Sequence, residues 1–163
     1  MELPTLISRQ RHQRLKRLEK EIAQLDTAIN SLIASDECLK TQSKLLCSIP
    51  GIAAATAAKL LSELAGKEFQ SARQLAAYAG LTPAEFRSGC FLYGKTHLSK
   101  IGNAFLRKAL YLPAAVARRW CKPLKPWIAI LESRKRKLLH IAFGVLKHQK
   151  SFNPLLLSFA KTL

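Results

Sequence analysis

An apolar heptad seam near the N-terminus is the feature that most restricts how this chain can fold. Its members, spaced alternately three and four residues apart, are Leu15, Leu18, Ile22, Leu25, Ile29 and Leu32. Charged residues lie between them, which is the pattern of a coiled-coil helix. The seam covers about 27 Å of helix, so it is marginal alone and needs a partner helix. That helix belongs either to a second copy, which would make the protein a homo-oligomer, or to the same chain.

The positive charge of the chain is concentrated in its second half. The 163 residues carry a formal net charge of +17, and 48% of them are hydrophobic. Residues 1–86 contain eleven Lys and Arg against nine Asp and Glu, whereas residues 87–163 contain sixteen against one, Glu132. Such an excess repels itself, so nucleic acid is the favoured partner and an anionic membrane surface the second. A solvated basic face is the alternative.

Cysteine spacing and hydropathy argue against several other classes of protein. The four cysteines, Cys38, Cys47, Cys90 and Cys121, form no Cys-x-x-Cys pair and have no histidine at zinc spacing. They indicate reduced, structural thiols and no metal site. No secretory signal is visible, so we expect a cytoplasmic protein. No apolar run approaches the roughly 18 residues that a membrane span requires, so we expect no membrane insertion.

Two apolar helical segments, within about residues 45–64, flank the Pro-Gly turn of the sequence IPGI. This is the pattern of a helix-hairpin-helix, in which N-terminal amides of the second helix bind a backbone phosphate without reading base sequence. The usual second glycine is Ala53 here, whose N–H still donates although its Cβ restricts the approach. The candidate binding residues are Gly51, Ala53 and Thr56. The alternative is an αα-corner within the core.

Three more apolar-periodic segments predict further helices and a mainly α fold. The first runs from Phe69 to Gly80, with Ser71 as its N-cap and the glycine as its end. The second follows Ser99, its predicted cap, and should be kinked at Pro113 because proline removes a backbone hydrogen bond. The third spans about residues 128–147 and carries a basic run, residues 134–137, that faces solvent or phosphate.

Domain organisation follows from the polar segment of residues 34–44, which we interpret as a connector. It separates a coiled-coil helix and connector, residues 1–40, from a helical domain, residues 41–163. The helical domain contains the helix-hairpin-helix and, downstream of it, a glycine-rich loop at residues 86–96.

That loop carries a serine, Ser88, which is followed by Gly89 and by Gly94 at the end of the loop. The sequence leaves open whether the segment is a small β-hairpin or irregular. A hydroxyl on a glycine-flexed loop, with cations converging from the next helix, could attack a phosphodiester while the cations stabilise charge on the phosphate oxygens. A surface turn before a solvated basic helix is the plain alternative. The candidate cations are Arg87, Lys95, Lys100, Arg107 and Lys108.

A series of motifs, in order and with matching spacing, resembles the C-terminal part of the insertion-sequence-110 family of transposases, the bridge-RNA-guided DNA recombinases. These motifs are IPGI, TAAKLLSEL, ARQLAAYAGLTP, F-R-S-G-x4-G, LSKIGNAFLRKALYLPA and LLHIAFGVLK. The resemblance covers about residues 45–150, and the preceding coil matches the family's layout, in which a helical coil mediates assembly. It implies DNA as partner, a guide RNA, and a serine that forms a transient phosphoserine link in DNA transposition.

By its position in the motif, the nucleophile that the resemblance implies is Ser88. Ser99 is the rival hydroxyl, but we expect its oxygen to be engaged as a helix cap. Cys90 ranks third because a phosphothioester would serve poorly as a recombination intermediate.

The resemblance also implies a portion that this sequence does not contain. The N-terminal portion of the family resembles the RuvC nuclease fold and supplies acidic residues that bind magnesium. The nine acidic residues before Arg87 do not lie in a βαβ context. We therefore expect a fragment without a cofactor of its own, with Mg²⁺ held by the other portion, that binds nucleic acid and cuts nothing alone. The alternative function is a non-catalytic helix-hairpin-helix or assembly module.

Overall fold

The computed structural model describes residues 3–84, 87–88, 92–93, 97–121 and 134–154, with side chains in 5–84, 97–121 and 135–154. Within these ranges the chain is mainly α-helical, as the sequence predicted. It divides into two compact units, Met1–Lys40 and Thr41–Leu163. The helices are α1 (Leu3–Ser35), α2 (Glu37–Cys47), α3 (Ala54–Leu64), α4 (Ala72–Tyr78), α5 (Ala104–Ala109), α6 (Tyr111–Trp120) and α7 (Arg134–His148).

The first unit consists largely of α1, a helix of 33 residues that contains the whole heptad seam. Every seam residue is exposed, from 43% at Ile29 to 67% at Leu32. On the polar side, Arg17 and Glu21 form an exposed ion pair at 2.9 Å. Such a pair stabilises a helix by about 0.3 kcal/mol. The helix predicted for the seam is therefore present, and its apolar seam residues are exposed. Coiled-coil pairing stays a prediction.

The segment that we interpreted as a connector is helical except at Asp36. The Asp36 carboxylate accepts hydrogen bonds from the backbone N–H groups of Cys38 at 2.8 Å and Leu39 at 3.2 Å. It thereby satisfies amides that have no partner in the first turn of α2. At the other end of α2, Leu46 is fully buried. The segment is thus an N-capped amphipathic helix, which its polar composition concealed.

One apolar core holds the second unit together. Helix α4 packs against α7, α3 against α5, and α6 against both α5 and α7. Among the described residues, no polar or charged residue is buried with this core. The buried core residues are Leu46, Ile49, Ile52, Ala57, Leu60, Leu61, Leu75, Ala79, Leu81, Leu106, Leu110, Ala114, Ala117, Leu138, Leu139, Ala142 and Val145.

Helix α4 begins and ends by the signals that the sequence indicated, although it is shorter than predicted. The Ser71 hydroxyl accepts a hydrogen bond from the N–H of Gln74 at 3.2 Å. At the other end, Gly80 has φ 64°, and the N–H groups of Gly80 and Leu81 bond to the carbonyls of Ala77 and Ala76, each at 2.8 Å. This is a Schellman cap, whose left-handed residue favours glycine. Phe69 lies before the helix and packs against the core.

The prediction that Ser99 caps the next helix is wrong. Its hydroxyl accepts only a long hydrogen bond, 3.4 Å, from the N–H of Ile101. Helix α5 begins instead after Asn103, whose side-chain oxygen accepts from the N–H groups of Phe105 at 2.9 Å and Leu106 at 3.1 Å. The chain cannot be helical between the two because Lys100 (φ 55°) and Gly102 (φ 136°) have left-handed backbone conformations.

The expected kink near Pro113 is a break between two helices. Helix α5 ends at Ala109 and α6 begins at Tyr111, with Leu110 between them. Proline has no N–H to bond the carbonyl four residues earlier, that of Ala109, and the interruption falls at this point. Two short helices therefore replace the single kinked one.

The chain between α4 and α5 contains two short antiparallel strand pairs, one nested inside the other in sequence. Strand β1 (Pro83–Ala84) pairs with β4 (His97–Leu98), and β2 (Arg87–Ser88) pairs with β3 (Leu92–Tyr93). The inner pair matches Ser88 with Leu92. This pairing confirms the hairpin alternative for residues 86–96, which we call the serine segment.

Two parts of the sequence predictions fall outside the described residues. The first part of the predicted last helix, residues 128–133, is among them, and the structure describes that helix as α7 from Arg134 onwards. Gly89, Cys90, Gly94 and Lys95 are also outside. In the described part of the chain, no helix is both long enough and apolar enough to cross a membrane.

Candidate nucleic-acid interface

The Pro-Gly turn between α2 and α3 is anchored in the core. Ile49 and Ile52, on either side of the turn, are 1% and 5% exposed. Gly51 has φ 93°, and a Cβ added there would lie 2.5 Å from the carbonyl oxygen of Pro113 in α6. The turn therefore packs closely against α6, as the αα-corner interpretation expects. Phosphate binding by Gly51 stays a prediction.

The first turn of α3 faces solvent and lacks a side-chain cap. Ala53 occupies the N-cap position with extended backbone and cannot offer a side-chain acceptor. Its carbonyl accepts from the N–H groups of Thr56 and Ala57, both at 2.9 Å. Ala53, Ala54 and Ala55 are exposed, whereas Thr56 is half-buried. Exposed amides at the positive end of a helix dipole can bind an anion, so Ala53 remains a candidate and Thr56 is less accessible.

The structure describes the predicted nucleophile through its backbone alone. Arg87 and Ser88 form β2, and their side chains are not described. The outer strand pair is fixed to the helical core next to α5. The N–H of Ser99 donates to the carbonyl of Thr82 at 2.9 Å, and the N–H of Lys100 donates to that of Gly80 at 3.2 Å. Both ends of the serine segment are therefore attached at the end of α4, close to the start of α5.

The three predicted cations near α5 have different surroundings. Lys100 and Lys108 are exposed. Arg107 is half-buried, and its Nη1 donates to the carbonyls of Ala79 and Gly102, each at 3.0 Å. Arg107 thus ties the end of α4 to the loop before α5, a structural role that sequence reasoning missed. Carbonyl groups at the C-terminus of a helix attract cations, and this is the signal that could have indicated the role of Arg107.

A cavity of about 370 Å³ is lined by cations from two helices and by an aromatic ring. Ala104, Arg107 and Lys108 of α5, Tyr111 of α6 and Lys135 of α7 line it. Lys135 Nζ lies 4.9 Å from the centroid of the Tyr111 ring. Burial, and then the charge of Arg107, lower the pKa of Lys135. Sequence reasoning assigned Lys135 only to a basic run and did not single out Tyr111, because their proximity depends on how α6 and α7 pack.

Asn103 connects three helices and thereby positions α5. Its Nδ2 donates to the carboxylate of Glu63 in α3 and, at 3.1 Å, to the hydroxyl of Tyr78 in α4. Its backbone N–H bonds to the carbonyl of Tyr78 at 2.8 Å. Lys67 Nζ lies 4.9 Å from the Tyr78 ring centroid. Hydrogen bonding by Lys67, and then by Asn103, lowers the pKa of Tyr78.

Two further observations concern the titratable groups that the structure describes. Within the described ranges, no three His, Cys, Asp or Glu side chains come together as possible ligands, so these residues do not fit Mg²⁺. His140 in α7 has a buried Nε2 without a hydrogen-bond partner among the described residues. Burial, followed by the charges of Arg136 and Arg73, lowers its pKa. The lowered pKa favours the neutral form of His140 in the folded chain.

Comparison with known proteins places this architecture in a family. The transposase IS116/IS110/IS902 family matches residues 43–128. The pilin gene-inverting proteins of Moraxella bovis and Moraxella lacunata are each 33% identical over 145 residues, which cover 81% of this chain and 45% of theirs. An insertion element IS110 protein of 43.6 kDa from Streptomyces coelicolor is 37% identical over 91 residues, 55% of this chain and 21% of that protein.

The chain therefore spans about half the length of the first two curated relatives and less of the third. The family match covers more than half of the chain and includes the core helices α3 to α6 together with β2, which contains Ser88. This chain belongs to the IS116/IS110/IS902 family of transposases.

Proposed function

We propose that this chain is the DNA-binding, serine-bearing C-terminal part of an insertion-sequence transposase that acts in DNA transposition and recombination. The observation that carries the proposal is family membership across residues 43–128, a range that includes Ser88 and α5. Two relatives are named for the inversion of a pilin gene, a rearrangement of DNA. Because the chain spans 45% of those relatives, the activity of the whole protein is part of the proposal.

In the proposed chemistry, the Ser88 hydroxyl attacks a phosphorus atom of a DNA strand. The Oγ–P bond forms, the serine proton leaves to a base, and the bond from phosphorus to one sugar oxygen breaks as that oxygen takes up a proton. Attack by a hydroxyl of another strand end reverses these steps and restores the serine. The phosphodiester energy is retained in the phosphoserine, as covalent catalysis allows.

Two structural features support this assignment. The serine segment is closed by the β1–β4 pair, and the chain then passes through Lys100 into α5. The outward cations Lys100 and Lys108 can meet phosphate oxygens near that segment, where they would oppose the negative charge of the reacting phosphate. Arg87 and Lys95 are proposed for the same role from the sequence alone.

A second group of phosphate contacts is proposed at the start of α3. The residues Ala53 to Ala55 are exposed and the helix has no side-chain cap, so their amides would donate to a backbone phosphate. Gly51 allows the tight turn there, and the half-buried Thr56 lies one residue further along. DNA is the principal partner in this proposal and a guide RNA the second, because cations and helix amides contact phosphates of either.

Magnesium belongs elsewhere in the proposal. The described residues offer no ligand cluster. From the family resemblance, we propose that Mg²⁺ is held by the RuvC-like portion, and no step above passes through a metal held by this chain.

A trapped covalent adduct tests the nucleophile. The chain is mixed with the RuvC-like portion of a family member, a guide RNA and a nicked DNA substrate, and denaturing gels reveal protein-linked DNA. We expect the unsubstituted chain to form the adduct and Ser88→Ala to form none. Ser99→Ala is the matched control because Ser99 caps no helix, and Cys90→Ala is the second control; both should form the adduct. An adduct with Ser88→Ala would refute the assignment.

A second candidate function is a non-catalytic binding and assembly module. The exposed seam of α1 favours it, since an apolar stripe of this kind pairs with another helix. We accordingly propose that α1 joins copies of the chain into a homo-oligomer. The two candidates are compatible, and the adduct experiment separates them because a module without chemistry binds DNA and never becomes linked to it.

A further inference from the structure

The cavity between α5, α6 and α7 is lined by three cations and, among the residues that the structure describes, by no carboxylate. The cations are Arg107, Lys108 and Lys135, and Ala104 and Tyr111 also line the cavity. Burial, and then the charge of Arg107 in the same cavity, lower the pKa of Lys135. The fold therefore holds like charges together, and an anion that entered would relieve their repulsion.

The guanidinium of Arg107 is fixed before any ligand arrives. Both hydrogens of its Nη1 are used in the bonds to Ala79 and Gly102, each 3.0 Å long. The other N–H donors, on Nη2 and Nε, belong to the same rigid plane. A planar group held in this way loses little rotamer entropy when it binds a phosphate, and its fork matches two phosphate oxygens.

Tyr111 presents an aromatic ring beside these cations. The residue is 61% exposed, although a phenol ring of this size is usually packed in a core or an interface. The Lys135 ammonium lies over the ring at 4.9 Å, which keeps the two side chains together. Exposed aromatic rings next to cations are the arrangement by which proteins bind single strands, with bases stacked on the rings and phosphates on the cations.

We propose that this cavity is a subsite for one unpaired nucleotide of a DNA strand, with its phosphate at Arg107, Lys108 and Lys135 and its base against Tyr111. The volume of about 370 Å³ lies in the range of small-ligand pockets and suits one nucleotide. A duplex presents base edges in its grooves and keeps base faces stacked on one another, so it has no free face for the ring. The inference rests on the proposed DNA binding and adds the form of DNA that this face takes.

Fluorescence anisotropy with three labelled probes tests the subsite. The probes are a single strand of about ten nucleotides, a blunt duplex of the same sequence, and a strand of equal length with abasic sites. Tyr111→Ala should weaken binding of the intact strand by about 5- to 100-fold and leave the duplex and the abasic strand within about two-fold. Tyr111→Phe keeps the ring and should retain affinity for the intact strand.

Trp120→Ala is the matched control on the same helix. Trp120 is 74% exposed and lies near a cation, since Arg119 is 5.8 Å from its ring, but it does not line the cavity. Its substitution should change binding of the intact strand by no more than about two-fold.

The outcomes separate this inference from the proposed function. If the unsubstituted chain binds none of the probes, DNA binding fails and the subsite fails with it. If the chain binds DNA but Tyr111→Ala weakens strand and duplex equally, or matches Trp120→Ala, only the subsite is refuted. Thermal unfolding of each variant checks that the substitution at an exposed position leaves the fold intact.

Discussion

Replacing Asn103 with alanine tests how the start of α5 is held. The substitution removes the oxygen that accepts from the N–H groups of Phe105 and Leu106, and the amide nitrogen that donates to Glu63 and Tyr78. Helix α5 would lose its cap and its link to α3 and α4 at once. Because α5 carries the cations of the proposed interface, the perturbation also bears on function.

The magnitude follows from two losses. Removing an N-cap acceptor costs about 1 kcal/mol. Leaving the half-buried Glu63 carboxylate without this donor costs about another 1–2 kcal/mol. Asn103→Ala should therefore lower the free energy of unfolding by about 2–3 kcal/mol in total.

Urea unfolding followed by circular dichroism measures the effect as a shift of the midpoint at constant slope. Asn103→Ser is the matched control because its hydroxyl can still cap α5 but cannot reach Glu63 as the amide does. It should lose about 1–2 kcal/mol, less than alanine does. A loss below about 0.5 kcal/mol for Asn103→Ala, or equal losses for both variants, would refute this account of the link.

Stability should fall as the pH drops below about 6.5, the ordinary pKa of histidine, because the pKa of His140 is lowered in the fold and the unfolded chain takes up the proton more readily. His140→Phe should flatten that dependence in urea titrations at several pH values, and an unchanged slope would contradict it. Gly51→Ala should lower the unfolding free energy by about 1–3 kcal/mol, since the new Cβ would meet the Pro113 carbonyl; an unaltered melting temperature would exclude this close packing. Leu18→Lys combined with Leu25→Lys should shift sedimentation from oligomer to monomer, and a monomeric unsubstituted chain would refute assembly through α1.

Local chemistry explains which parts of the fold could be predicted from the sequence. The Ser71 cap and the Gly80 terminus of α4 depend on residues within a few positions, and both were identified. The same holds for the periodic apolar face of α7, where Leu138 and Ala142 are buried. The missed helix α2 also had a local signal, Asp36, but its polar surface outweighed the apolar period.

The start of α5 depends on contacts that are distant in sequence. Ser99 and Asn103 are both residue types that cap helices. Asn103 is the cap because its side chain also reaches Glu63 and Tyr78, which are 40 and 25 residues away in sequence. No pattern within a window of one helix distinguishes the two candidates.

The candidate site was partly predictable for the same reason. Charge counting identified Lys100, Arg107 and Lys108 as cations near the serine. It could not reveal that Arg107 bonds to two carbonyls of the fold, or that Lys135 and Tyr111 meet in one cavity, because these facts arise from packing between helices.

The strand pair β1–β4 joins the two ends of the segment between Ala84 and His97, which carries Ser88. Among the described residues, the two ends of that segment bond to each other through Pro83 with Leu98 and Thr82 with Ser99, and Lys100 bonds to Gly80 at the end of α4. Lengthening a closed loop costs only about 0.6 kcal/mol for each doubling of its length. We therefore expect that insertions between Ala84 and His97 cost little in loop-closure entropy as long as the β1–β4 pair is kept.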